Sequence, residues 1–133
     1  MEVFDFYNGE TKPFGIIGNP IGHSFSPVLQ NTVLKELGSN GVYVPFRVED
    51  SELKKAVEGL YALGFEGINV TVPHKKSVMQ YLCGIDETAE LVGAVNTLKR
   101  TENGFKGYNT DILGLKKSFE LNNINVKGKR ALL

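Results

Sequence analysis

Apolar and polar positions along this 133-residue chain switch repeatedly between two periods. Residues 14–18, Phe-Gly-Ile-Ile-Gly, form a short apolar run that predicts a buried strand. Ser26-Pro27 then opens a helical stretch, with Ser26 as N-cap, Pro27 at the first helical position and Gly38 after the last turn. Over 42–48 the period drops to two, and Val42, Val44, Phe46 and Val48 alternate with Tyr43, Pro45 and Arg47. Pro45 cannot donate to a ladder, which places this strand at a sheet edge. Leu53, Ala56, Val57, Leu60 and Leu63 recur at helical spacing, with Asp50 or Ser51 as cap and Gly64 at the end. A third strand covers 68–72, and Pro73 both stops it and opens a helix over 73–82. A short helical piece follows at 87–91. Residues 94–99 and 105–108 flank Asn103-Gly104, a strong hairpin signal, and Ile112, Leu115 and Phe119 mark a last helix. Strands alternating with helices predict an α/β fold. The expected architecture is a three-layer sandwich, its mostly parallel sheet carrying one antiparallel hairpin, with helices on both faces.

Composition narrows the function classes. Lys plus Arg and Asp plus Glu each total 15, and no basic stripe stands out, which argues against nucleic acid as the partner. No apolar stretch reaches transmembrane length and residues 1–10 lack the pattern of a secretory signal, so no membrane role is expected. The single cysteine, Cys83, permits no internal disulfide and no multi-cysteine metal site, and a reduced cytoplasm is the default setting. His23 and His74 lie at no metal-ligand spacing and read as structural, so no metal is expected. No two of the 15 glycines are separated by one residue, so the dinucleotide fingerprint is missing and no cofactor-binding residue is assigned.

The candidate chemistry gathers where strands end. In Gly67-Ile68-Asn69-Val70-Thr71-Val72-Pro73-His74-Lys75, strand alternation turns Asn69 and Thr71 one way and Val70 and Val72 the other. An amide, a hydroxyl and a lysine thus meet at the carboxyl end of a strand, where α/β sheets bind small ligands. A helix starting at Pro73 would set the Lys75 ammonium against the positive end of its dipole, a cost of about 0.3–1 kcal/mol that favours the neutral, proton-accepting form. Lys76, about 100° further round that helix, is the natural control. Asp111 stands between a strand and a helix, and reads as an N-cap, a functional carboxylate, or both. Ser24 and Ser26 put two hydroxyls on one face if the segment is extended, a pair suited to a carboxylate. Asn96 is a polar residue inside an apolar strand and must find a partner in backbone or ligand.

Taken in order, four segments resemble shikimate dehydrogenase: Gly18-Asn19-Pro20-Ile21-Gly22-His23-Ser24-Phe25-Ser26-Pro27, the run from Asn69 to Lys75, Gly93-Ala94-Val95-Asn96-Thr97, and Asn109-Thr110-Asp111. The resemblance implies reversible NADP-linked reduction of 3-dehydroshikimate to shikimate, in aromatic amino-acid biosynthesis. It implies that Ser24 and Ser26 bind the substrate carboxylate, that Asn69, Thr71, Asn96 and Asp111 hold ring hydroxyls, and that Lys75 and Asp111 are the catalytic pair. It also implies a substrate-binding domain over 1–110, a connecting helix and linker over 111–127, and over 128–133 the cut-off first strand of an NADP-binding domain. Alone, the chain is expected to bind substrate weakly and to turn nothing over. Two alternatives stand beside this: a self-sufficient module that captures a hydroxylated carboxylate, and the substrate half of a quinate-preferring dehydrogenase. Ser26 in place of the bulkier Thr leans toward shikimate by about 1–3 kcal/mol at most. Oligomeric state is not legible in the sequence.

Overall fold

Five of the six strands run one way. In the computed structural model, which describes residues 7–132, they form a single sheet of order β2-β1-β3-β5-β6-β4. The chain builds it from β1 (Lys12–Gly18), α1 (Ser26–Glu36), β2 (Gly41–Arg47), α2 (Leu53–Ala62), β3 (Gly67–Val70), β4 (Gly84–Ile85), α3 (Glu87–Val92), β5 (Thr97–Thr101), β6 (Gly104–Tyr108) and α4 (Thr110–Leu121). Only β5 opposes its neighbours, β3 and β6, while the remaining pairs are parallel. The expected α/β sandwich with one antiparallel hairpin is what forms.

Alternation along the strands sorts the two faces. Ile17, Ile68, Val70, Leu98 and Phe105 point to one side and pack with Leu53, Val57 and Leu60 of α2, with Val78 and with Ala89 of α3. Phe14, Tyr43 and Asn69 point to the other, where Leu34 of α1 meets Gly41 and a cavity of about 380 Å³ lies among Gln30, Tyr43, Asn69, Thr97 and Thr110. Helices therefore cover both faces. α1 buries little: Val28, Leu29 and Val33 on its outer side are exposed.

β2 is an edge strand, as Pro45 requires. Lys12 N donates to Asn40 O and Val48 N to Gly18 O, so the even-numbered amides of β2 face β1 and the odd-numbered ones face outward. That outer edge is closed at its centre. The Asn31 side chain donates to Tyr43 O (2.8 Å) and accepts from Tyr43 N (2.9 Å), imitating a neighbouring strand, and Pro45 removes the next donor.

Several expectations are corrected. Residues 73–82 are not an α-helix: a turn leads into a 3₁₀ segment, Ser77–Tyr81. The cause is tertiary, since Lys75 O accepts from Val95 N (2.7 Å) and Met79 N is left to bond Lys76 O. The dipole field invoked for Lys75, and the 100° offset of Lys76, have no helix behind them. β3 stops at Val70, and Val72 is exposed. Ser26 is the first helical residue, not the cap. Leu29 N bonds Phe25 O, and the orphan Ser26 N is taken by the Ser24 hydroxyl oxygen at 3.3 Å. Neither Asp50 nor Ser51 caps α2; both enter a 3₁₀ turn, Asp50–Glu52, and Leu63 is exposed. The cap of α4 is Asn109, whose Oδ1 accepts from the amides of Asp111 (3.0 Å) and Ile112 (3.3 Å), so Asp111 is not an N-cap. Residues 129–132 carry no regular structure, and Leu133 lies outside the described residues.

Candidate active site

The topology creates one crevice. From β1 the chain crosses on the α1 side to β2, then on the α2 side to β3, which lies on the other flank of β1. Loops leaving β1 and β3 thus diverge to opposite faces. The gap between them, at the carboxyl edge, is the switch point at which such sheets bind ligands. Because β5 is reversed, its amino end and the carboxyl end of β6 reach this same edge.

Lys75 and Asp111 meet there. Lys75 Nζ donates to Asp111 Oδ2 at 2.7 Å, linking the turn after β3 to the first turn of α4. The side chains remain 34% and 57% exposed, so the pair contributes about 0–1 kcal/mol to stability and stays open to a ligand. Freed from capping by Asn109, the Asp111 carboxylate sits at the positive end of α4 and beside an ammonium. Behind Lys75, the fully buried His74 ring pins the turn: its Nε2–H donates to Val48 O at 2.7 Å, and Nδ1 faces Asp50 Oδ1 at 3.2 Å.

The two asparagines are joined. Asn69 Nδ2 donates to Asn96 O (3.3 Å) and to Thr97 Oγ1 (3.2 Å), and the Thr97 hydroxyl donates to Asn96 Oδ1 (2.9 Å). Asn96 Oδ1 also accepts from Thr110 N (2.9 Å), while its Nδ2 donates to Thr110 Oγ1 (2.9 Å). A backbone amide and a backbone carbonyl, which cannot exchange roles, thereby orient both side chains. Thr97, Thr110, Asn109 and Tyr43 are the supports that reading the sequence missed. The Tyr43 hydroxyl donates to Asn69 Oδ1 at 2.7 Å. Burial pushes its phenol up to about 12, against a smaller lowering by the Ser26 hydroxyl beside it.

Ser26 lies at the start of α1, beside this phenol. Ser24 is tied to Ser26 through the Ser26 amide, although Phe25 is in the αR region, so the two serines do not share a face by being extended. Thr71 is placed by packing. Its N–H donates to Ile17 O, and its methyl rests where a side chain on Gly18 would lie, 2.5 Å from an added Cβ. Ser24, Ser26, Asn69, Thr71, Lys75, Asn96 and Asp111 all belong to segments that end or begin at this edge. The direct contacts among them tie Lys75 to Asp111, Asn69 to Asn96 and Ser24 to Ser26.

A dinucleotide does not fit these residues. The loop opening α1 has Phe25 at the cap and Pro27 in the first turn, which withholds an amide from any phosphate, and the chain has no G-x-G. Among the described residues no group of three or more His, Cys, Asp or Glu could hold a metal, and no helix is long and apolar enough to cross a membrane.

Residues 16–98 match the family described as the shikimate dehydrogenase substrate binding domain. The chain is 56% identical over 107 residues to the NADP(+) shikimate dehydrogenase of Bacillus subtilis (strain 168), covering 80% of this chain and 38% of that protein. A crystal structure of shikimate dehydrogenase in complex with NADP+ superposes with a TM-score of 0.86 at 46% identity, over 90% of this chain and 42% of the other. The Listeria monocytogenes shikimate 5-dehydrogenase, solved with shikimate and NAD, gives 0.85 at 37% identity, over 90% and 42%. The chain spans about two fifths of the length of these relatives.

Proposed function

The chain belongs to the shikimate dehydrogenase substrate-binding family, and on that premise we propose that it is the substrate-binding part of an NADP-dependent enzyme interconverting 3-dehydroshikimate and shikimate in aromatic amino-acid biosynthesis. The carrying observation is the 2.7 Å Lys75–Asp111 pair, which joins the turn after β3 to the first turn of α4 at the carboxyl edge of the sheet. In this reading the Ser24 and Ser26 hydroxyls donate to the substrate carboxylate. Asn69, Thr71 and Asn96 hold the ring hydroxyls, and Lys75 and Asp111 move the proton to and from the reacting oxygen. NADP is held by residues outside the described chain, which does not fit it. The setting is the cytoplasm, in keeping with one unpaired cysteine.

The proposed substrate contacts all lie within these residues, so this chain should bind shikimate by itself, and weakly, since it spans about two fifths of the length of its relatives. A millimolar dissociation constant, about −4 kcal/mol, is expected. Titrating shikimate into ¹⁵N-labelled protein should perturb amides near 22–27, 69–75 and 96–111 together. Changes confined to 42–64, or none at high millimolar ligand, would reject the assignment. Replacing Ser24 and Ser26 together with Ala should abolish the response and leave the fold intact.

A further inference from the structure

Tyr43 comes from an edge strand, yet its phenol reaches the middle of the site. Three restraints fix it there. Asn31 of α1 holds both its backbone N–H and its C=O, the residue is 5% exposed, and its hydroxyl donates to Asn69 Oδ1 at 2.7 Å. The last bond is much shorter than the 3.2 and 3.3 Å bonds that Asn69 Nδ2 makes to Thr97 and to Asn96 O.

Donor and acceptor counting gives this a chemical meaning. Both N–H groups of Asn69 are engaged by Asn96 O and Thr97 Oγ1, whereas Oδ1 spends one of its two lone pairs on Tyr43, so its second lone pair is the free acceptor. Asn96 is held likewise, its Oδ1 already accepting from Thr110 N and from the Thr97 hydroxyl. Asn96 keeps one free N–H donor, its Nδ2 donating to Thr110 Oγ1 alone, while Asn69 Oδ1 and the Asp111 carboxylate are left as acceptors for ligand hydroxyls. Without the phenol hydroxyl, Asn69 Oδ1 would lose its strongest partner and its amide would be held by two long bonds alone.

We propose that Tyr43 is a positioning residue for substrate recognition, holding the Asn69 carboxamide in place so that the free lone pair of its Oδ1 meets a ring hydroxyl of the ligand. This rests on the shikimate-site reading above, and the test separates the two claims. Tyr43→Phe keeps the ring and removes the hydroxyl, so its melting curve should remain cooperative. In the ligand-free chain, the Asn69 side-chain NH₂ resonances should move toward those of a free amide and broaden. Shikimate affinity should fall about tenfold, but by less than twofold when the same change is made in an Asn69→Ala background. Unchanged Asn69 NH₂ resonances in Tyr43→Phe would overturn the proposal, as would wild-type affinity, or an equal loss in the Asn69→Ala background. Should the parent chain show no response to shikimate, the functional reading fails by itself. The ligand-free NH₂ signals then decide for or against Tyr43.

Discussion

Lys75 and Lys76 are adjacent but differently placed: one is paired with Asp111 across 36 residues, the other is exposed. In a relative-length enzyme, Lys75→Ala should lower kcat by about 10²–10⁴ with little change in substrate affinity, and Lys76→Ala should be nearly silent. Equal losses would point to bulk charge instead. Since the pair is partly exposed, neither change should move the melting temperature of this chain noticeably. Tyr43 supplies a second prediction. Its folded value of about 12 lies above the ordinary 10.0, so the folded state holds the phenolic proton more tightly than the unfolded one. The resulting stability is complete below pH 10 and is lost as pH rises from 10 to 12, by up to about 3 kcal/mol. Urea melts at pH 9 and pH 12 should therefore show a steeper fall for the parent than for Tyr43→Phe. At this scale the polar residues at strand ends were legible, because an amide or lysine beside an apolar run is conspicuous. Tyr43 was not, because only the pairing of Phe14 with Tyr43 and of Ile16 with Asn69 shows that the two side chains share a face.

Elements were legible where local signals agree and illegible where a distant contact decides. The edge position of β2 followed from Pro45, and the β5–β6 hairpin from Asn103-Gly104. The helix expected at Pro73 failed because Val95, twenty residues on, takes the carbonyl of Lys75. The cap of α4 fell to Asn109 instead of Asp111, a shift of two residues that frees the carboxylate for Lys75. Asn31 offers the sharpest test at this level. Asn31→Leu should cost about 1–3 kcal/mol, measured by urea denaturation, because two backbone groups of β2 lose their partner. It should also raise concentration-dependent association in sedimentation velocity, since the strand edge is then open. A variant as stable and as monodisperse as the parent would show that Asn31 closes nothing. Gly18→Ala should disturb the site itself, because the new methyl would meet Thr71 and Val72 O.

For the molecule as a whole, the sandwich, the mixed sheet and the position of the candidate site at the carboxyl edge could be read from alternation and strand-end chemistry alone. The switch point itself could not, as it depends on strand order. NADPH fluorescence titrated with this chain should show no saturable micromolar binding, because the loop before α1 lacks a phosphate cradle. Saturation would place a cofactor site within these residues. The reversed strand carries a last consequence. Asn96 precedes β5 and Asp111 follows β6, so two site residues are delivered by opposite arms of one hairpin, while its tip at Glu102-Asn103 points away. Their spacing depends on the phase of one ladder, in which Thr97 faces Tyr108, and not on how long the hairpin is. Residues added at the tip leave that phase untouched. One residue added within an arm turns every later side chain of that arm to the opposite face. The lineage of such a domain is free to lengthen this hairpin at its far end, and is held to an unaltered count along either arm.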